Sequence, residues 1–179
     1  MLRVANHSHV ADGVSIGRQK RTRPIEAGKD FPTADEIKRM IEAAPEGKKR
    51  ALVLTMALTG LRASELRGLR WKDIDLKAGE LHVCQRADCF GVIGAVKSST
   101  SVRTLPLDPG ALTTALKSWR LACPKAEEDL VFPTPRGRIE NHCVMLKSLG
   151  PVMKAAGVVD KKGKPKYALH AFRHCLMAH

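Results

Sequence analysis

Two stretches of this sequence place an arginine where it could bind a phosphate group. In the first, Thr59-Gly60-Leu61-Arg62-Ala63-Ser64-Glu65-Leu66, an arginine at a predicted helix start precedes a glutamate by three residues. That spacing puts Arg62 and Glu65 on one helical face, where the carboxylate can orient the guanidinium. A guanidinium beside a helix N-terminus is well suited to a phosphate. On spacing alone, however, a surface ion pair is the more frequent explanation.

The second stretch, His170-Ala171-Phe172-Arg173-His174, repeats the three-residue spacing with a histidine and an arginine. His170 could donate to a phosphoryl oxygen, or act as an acid or base near neutral pH, while Arg173 holds the other oxygens. Between the two stretches, Lys97 ends a predicted strand on a hairpin, from which it could give a proton to a leaving oxygen. Each feature alone is commonly a solvated helix edge or one lysine among many.

The elements that must position these residues follow the order helices, small sheet, helices. Thr33 and Glu36 match the capping-box pattern at the start of the first helix. Short strands are predicted over 74–83, and a hairpin is predicted to pair 92–97 with 102–107. Further helices are predicted over 48–58, 63–69, 143–156 (kinked or split at Gly150-Pro151) and 168–179, with another opened by Asp108-Pro109. The predicted fold class is therefore α+β, mainly α-helical, with a small antiparallel sheet and a hairpin.

Composition restricts the partners of this chain. It has 31 Lys and Arg against 18 Asp and Glu, a formal net charge of +13. Such an excess favours nucleic acid or an anionic membrane as partner. The longest apolar run, Ala51 to Leu61, contains two threonines and is shorter than the roughly 20 residues a spanning helix needs. Five scattered cysteines without a C-x-x-C pair, and no recognisable signal peptide, indicate a cytoplasmic protein.

The first 30 residues form a separate predicted unit. They lack a sustained hydrophobic period, and they carry a short basic cluster made of Arg18, Lys20, Arg21 and Arg23. We interpret residues 1–30 as an arm or linker, which either contacts DNA phosphates through this cluster or is a solvated tail. Residues 31–179 form the second predicted unit, a single domain.

Taken together, the arginine with its helper acid, the hairpin lysine and the His-x-x-Arg motif resemble the tyrosine site-specific recombinases, the phage-integrase family. The flanking sequences "TGLRASELRGLRWKDIDL", "VKSSTSVRTLPL" and "LHAFRH" are similar too. The resemblance runs from about Phe31 to the last residue. It implies the DNA breaking-rejoining catalytic fold and double-stranded DNA as the partner. It requires no cofactor and no metal.

The resemblance also implies a role for each residue. Arg62 would be the first phosphate-binding arginine, with Glu65 as its structural partner. Lys97 would be the general acid, and His170 and Arg173 the second pair on the scissile phosphate. His174 would support that pair by packing or hydrogen bonding, and Arg103, which follows the lysine, would contact DNA.

In the resembled mechanism, a tyrosine attacks the phosphodiester and forms a 3′-phosphotyrosyl link, which stores the bond energy for rejoining. In the family that tyrosine lies beyond His-x-x-Arg, whereas this sequence stops at His179 and its one tyrosine, Tyr167, precedes the motif. We therefore expect a catalytic domain that lacks its C-terminal end and does not cleave DNA by itself. Family members act as tetramers on DNA, and we expect this chain to be monomeric by itself.

Two other classes of protein remain open. One is a DNA-binding remnant or regulator without catalysis, which requires only the basic charge and the arginine and lysine sites. The other is a zinc protein, in which His170, His174, Cys175 and His179 lie at helical spacing. That zinc site would have to recruit His142 or Cys143 as well.

Overall fold

The computed structural model describes residues 24–96, 101–126 and 128–174. Its α-helices are α1 (Ala34–Ala43), α2 (Lys48–Thr59), α3 (Ala63–Arg67), α4 (Ala111–Ala122) and α5 (His142–Ala155). Its strands are β1 (Ile74–Asp75), β2 (Glu80–Val83), β3 (Gln85–Ala87), β4 (Ile93–Ala95) and β5 (Arg103–Pro106). Two 3-10 helices, Trp71–Asp73 and Leu169–His174, complete these elements.

Helix α2 forms the centre of the core. Its residues from Ala51 to Ala57 are buried, as its apolar sequence predicts. The hydroxyl of Thr59 donates to the Thr55 carbonyl at 2.5 Å, so the polar group is satisfied inside the core. Gly60 then ends the helix in the left-handed conformation (φ 58°), which glycine adopts without steric cost. The chain therefore turns sharply and delivers Arg62 to the start of α3.

The strands form two small antiparallel sheets. One has the order β1-β2-β5, and the other is the hairpin of β3 and β4. The predicted pairing of 92–97 with 102–107 is wrong, because Ala87 pairs with Ile93 whereas Arg103 pairs with Val83. Alternation of apolar residues identified the strands, but it cannot choose among partners of similar pattern.

Two predicted helices differ in the structure. Helix α5 is continuous from His142 to Ala155 with Pro151 inside it, so the predicted break does not occur. The predicted helix over 168–179 is instead a 3-10 helix from Leu169 to His174, and residues 175–179 lie outside the described part. Side chains three residues apart eclipse one another in a 3-10 helix, so His170 and Arg173 still share a face.

A helix that spans a membrane needs roughly 20 mostly apolar residues. No helix within residues 24–96, 101–126 and 128–174 is both long enough and apolar enough to cross a membrane.

Candidate active site

The start of α3 holds Arg62 against Glu65 by two hydrogen bonds. The Arg62 backbone N–H donates to Glu65 Oε2 at 2.9 Å, and the guanidinium Nη1 donates to Oε1 at 2.7 Å. The Glu65 side chain is buried, whereas that of Arg62 is 46% exposed. The carboxylate thus fixes the backbone N–H and one guanidinium nitrogen of Arg62, as the three-residue spacing predicted. The exposed part of the guanidinium remains open to a ligand.

A second arginine binds the same carboxylate from β5. Arg103 Nη2 donates to Glu65 Oε2 at 2.8 Å, and its Nη1 donates to Oε1 at 3.2 Å. This contact was not predicted from the sequence, because 38 residues separate the partners. Arg103 was expected to contact DNA instead. Its predicted place on a strand gave no indication of the partner.

These contacts determine the charge of Glu65. Burial by itself would raise its pKa, but the hydrogen bonds from Arg103 and from the backbone and side chain of Arg62 outweigh burial. The pKa of Glu65 is therefore below its ordinary value, and the carboxylate is ionised at neutral pH.

Helix α3 is fixed from below by strand β3. The side-chain amide of Gln85 donates to the Gly68 carbonyl at 2.6 Å. A Cβ atom at Gly68 would lie 2.7 Å from the backbone carbonyl carbon of Arg86, closer than real Cβ contacts come. Glycine at position 68 therefore lets α3 and β3 approach closely enough to hold Arg62 and Arg86 side by side.

Arg62 and Arg86 line one cavity of about 90 Å³ together with Ser64, Glu65, Val96 and Ser101. The Nε atom of Arg86 is buried and has no hydrogen-bond partner among the described residues. The sequence analysis did not single out Arg86. Val96 and Ser101, which flank residues 97–100 in the sequence, both line this cavity.

The 169–174 helix brings the second predicted arginine to the same region. Arg173 Nη1 donates to the Gly60 carbonyl at 3.2 Å, next to the turn that delivers Arg62. Burial, and then the positive charge of Arg62, lower the pKa of Arg173. His170 is exposed, and its ring packs edge-on against that of His174 with centroids 5.2 Å apart. Arg62 and Arg103 thus bind one buried carboxylate, and Arg173 bonds to the neighbouring Gly60, where its charge interacts with those of Arg62, Glu65 and Arg103.

Several predicted residues cannot be placed. Lys97 and the basic cluster Arg18, Lys20, Arg21 and Arg23 lie outside the described residues, so their roles stay predictions. Cys175 and His179, two residues of the zinc alternative, also lie outside. Within the part of the chain that the structure does describe, no three His, Cys, Asp or Glu side chains are grouped to hold a metal ion.

The side chain of Tyr167 is part of the hydrophobic core. Its side chain is buried, and its hydroxyl donates to Glu36 Oε2 at 2.8 Å. Burial and this hydrogen bond raise the pKa of Tyr167 to about 12. Both features oppose formation of the phenolate that a nucleophilic tyrosine must provide.

Comparison with known proteins identifies the family. The sequence model of the phage integrase family matches residues 31–179. The Tyrosine recombinase XerC-like of Caldanaerobacter subterraneus subsp. tengcongensis is 30% identical over 164 residues, which cover 78% of this chain and 40% of that protein. The Prophage integrase IntR of Escherichia coli K12 is 25% identical over 121 residues, which cover 68% of this chain and 28% of that protein.

Solved structures agree on the fold. The crystal structure of XerA recombinase superposes with a TM-score of 0.66 at 24% identity, covering 90% of this chain and 52% of that one. The Tn1549 transposon integrase in complex with transposon right end DNA gives a TM-score of 0.64 at 21% identity, covering 86% and 53%. The expected α+β catalytic fold is confirmed. The chain spans about two fifths of the length of two curated XerC-type relatives, at 40% and 43%. It belongs to the phage integrase family.

Proposed function

We propose that this chain supplies the phosphate-binding part of an active site that cuts and rejoins double-stranded DNA in site-specific recombination. The observation that carries the proposal is the pair of arginines, Arg62 and Arg103, on the buried carboxylate of Glu65, with Arg173 held at the neighbouring Gly60. Three positive charges against one negative charge leave the site with an excess that an anion can neutralise. A DNA phosphate is the anion to which such a basic chain is suited.

The proposed chemistry assigns complementary tasks to these residues. Attack on a phosphodiester concentrates negative charge on the two non-bridging oxygens. Arg62, Arg173 and His170 stabilise that charge, because guanidinium groups fixed in advance need no reorganisation during the reaction. Lys97 protonates the departing 5′-oxygen. Glu65 and Arg103 keep Arg62 in place, and Arg103 also contacts the DNA backbone.

Solved relatives support DNA as the partner. The Tn1549 transposon integrase was solved in complex with transposon right end DNA, and XerH with its difH substrate. The structure of lambda integrase is of a dimer bound to a core site. We extend DNA binding to residues 31–179 as the catalytic domain, and to the basic cluster within residues 1–30 as an arm on the phosphates. Full-length proteins of this kind assemble as tetramers on two duplexes.

A second function, DNA binding without cleavage, applies to a polypeptide of these 179 residues alone. It is favoured by the environment of Tyr167, the only tyrosine in the sequence. Its side chain is buried, its hydroxyl donates a hydrogen bond to Glu36, and its pKa is raised. The attacking tyrosine of the cutting reaction is therefore not Tyr167. Such a polypeptide binds duplex DNA but forms no covalent link to it.

The test combines binding with covalent capture. The 179-residue protein and its Tyr167→Phe variant are titrated with random-sequence duplexes at several salt concentrations. They are also incubated with nicked duplexes and separated under denaturing conditions. We expect salt-dependent binding by both proteins and a covalent adduct with neither. Absence of binding at low salt would contradict the proposed function. An adduct that Tyr167→Phe abolishes would make Tyr167 the nucleophile.

A further inference from the structure

The carboxylate of Glu36, at the start of α1, connects that helix to the segment that carries His170 and Arg173. Its Oε2 accepts from the Thr33 backbone N–H at 2.9 Å and from the Tyr167 hydroxyl at 2.8 Å. Its Oε1 accepts from Lys166 Nζ at 2.8 Å. Only the first of these contacts belongs to the capping box. The other two cross about 130 residues of sequence and end three to four residues before His170.

The helix that follows Lys166 and Tyr167 is short. It is a six-residue 3-10 helix whose hydrogen-bond geometry is intrinsically poorer than that of an α-helix. At its far end, the ring of His174 lies 6.3 Å from that of Phe31, just before α1. Residues at or just before the start of α1 therefore contact Lys166 and Tyr167, which precede the 169–174 helix, and His174 at its end. Tertiary contacts, rather than helix formation, must determine where its side chains point.

We propose that Glu36 is a positioning residue of the phosphate site, which acts through Tyr167 to fix the 169–174 helix so that Arg173 and His170 face Arg62. The inference rests on the proposed function for the identity of the site. Glu36 itself contacts none of the three site residues in the described structure, so its effect must pass through Tyr167 and Lys166.

The protonation states of Glu36 and Tyr167 allow the hydrogen bond between them to persist at neutral pH. Burial alone would raise the pKa of Glu36, but the bonds from Lys166, Thr33 and Tyr167 outweigh it, so the pKa is lowered. Tyr167 stays protonated, since its pKa is raised to about 12, and its hydroxyl can always donate. Lys166 is 27% exposed and can turn towards water, whereas the side chain of Tyr167 is buried.

A purely stabilising role for Glu36 makes different predictions from a positioning role. Tyr167→Phe removes the hydroxyl and retains the packed ring. Glu36→Gln can retain one carbonyl oxygen for Thr33 and Tyr167, but it removes the charge and replaces the oxygen that accepts from Lys166 by an NH2 group. The control is Asp35→Asn, which changes the neighbouring, largely exposed acid of the same helical turn.

The first readout needs no DNA. The ring ¹H and ¹³C resonances of His170, assigned with a His170→Ala sample, are compared with amide hydrogen exchange over 168–174 and over α2. We expect Tyr167→Phe to shift the His170 resonances and to speed exchange over 168–174 relative to α2. Glu36→Gln should do so less, and Asp35→Asn should do neither. Unchanged resonances in Tyr167→Phe, or exchange that rises uniformly through both segments, would overturn the proposal.

The second readout is a double-mutant cycle in affinity for a random-sequence duplex. Tyr167→Phe alone should weaken binding by roughly three- to tenfold. If its effect passes through Arg173, it should cost almost nothing further in an Arg173→Ala background. Additive losses would overturn the proposal. If the wild-type protein bound no DNA while His170 still moved, the proposed function would fail and the Glu36 connection would stand.

Discussion

The two halves of the site are built in different ways. Arg62, Glu65 and Arg103 form a local corner, joined by two hydrogen bonds from each arginine to one buried carboxylate. The 169–174 helix is held by the Arg173 bond to Gly60 and by the distant contact between Tyr167 and Glu36. The corner is therefore fixed by its own members, whereas the second half packs on α2 and is connected to the start of α1 through Tyr167, Lys166 and the ring of His174.

This difference indicates where each half is vulnerable. Preorganised charges stabilise a transition state only if they need not move when it forms. In the corner, that condition depends on Glu65 and on the close approach of α3 to β3. In the second half, it depends on residues far from the phosphate. Changes to the corner should therefore lower the free energy of unfolding directly. Changes to Glu36 or Tyr167 should mainly alter the placement of His170 and Arg173.

The largest effect is expected from Glu65→Gln. The amide keeps an acceptor but loses the charge that two arginines share, and we expect a decrease of about 2–3 kcal/mol in the free energy of unfolding, by urea titration. The control is Glu42→Gln on the exposed face of α1, which should cost about 0.5 kcal/mol or less. Because we assign Glu65 a supporting role rather than a contact with DNA, the salt slope of DNA binding should change little. A large change in that slope would contradict its supporting role.

Gly68→Ala tests the corner through its backbone rather than its charges. The added methyl group would meet the backbone of Arg86 at 2.7 Å, so α3 must move away from β3. We expect a loss of about 2 kcal/mol in urea unfolding. Gly94→Ala is the matched control, since a Cβ there meets nothing within 4 Å. Equal stabilities for the two variants would mean that the close approach of α3 and β3 does not matter.

Acid titration should produce a smaller and more gradual loss. The folded pKa of Glu65 lies below its ordinary value of 4.5, so its contribution is complete above about pH 5 and is lost as pH falls below 4.5. One such carboxylate contributes at most about 1.4 kcal/mol per pH unit. Wild-type protein should therefore lose more stability than Glu65→Gln between about pH 5 and pH 3. Parallel curves would show that Glu65 has no lowered pKa.

The local features of this fold were predictable from the sequence. The capping box of Thr33 and Glu36 and the pair of Arg62 and Glu65 each depend on residues three apart, and both form as expected. Gly60 ends α2 at the predicted break. In each case the physical cause lies within one turn of helix, so spacing and residue type suffice.

Contacts between distant residues were not predictable in the same way. Arg103 reaches Glu65, and Tyr167 reaches Glu36, only because the finished fold brings their elements together. The partner of β4 was wrong for the same reason, since short strands of similar pattern do not specify their pairing. The sequence thus predicted the pair of Arg62 and Glu65, but neither the contact of Arg103 with that pair nor what fixes the second half of the site.

The central claim is that Arg62 and Arg173 act on one phosphate, and a double-mutant cycle in DNA affinity tests it most directly. Arg62→Ala, Arg173→Ala and the double variant are titrated with one duplex at fixed salt, beside Arg136→Ala, an exposed arginine outside the cluster. We expect roughly tenfold losses for each site arginine and a double loss that differs clearly from their sum. Single losses no larger than that of Arg136→Ala, or a double loss equal to the sum of the two single losses, would contradict the claim.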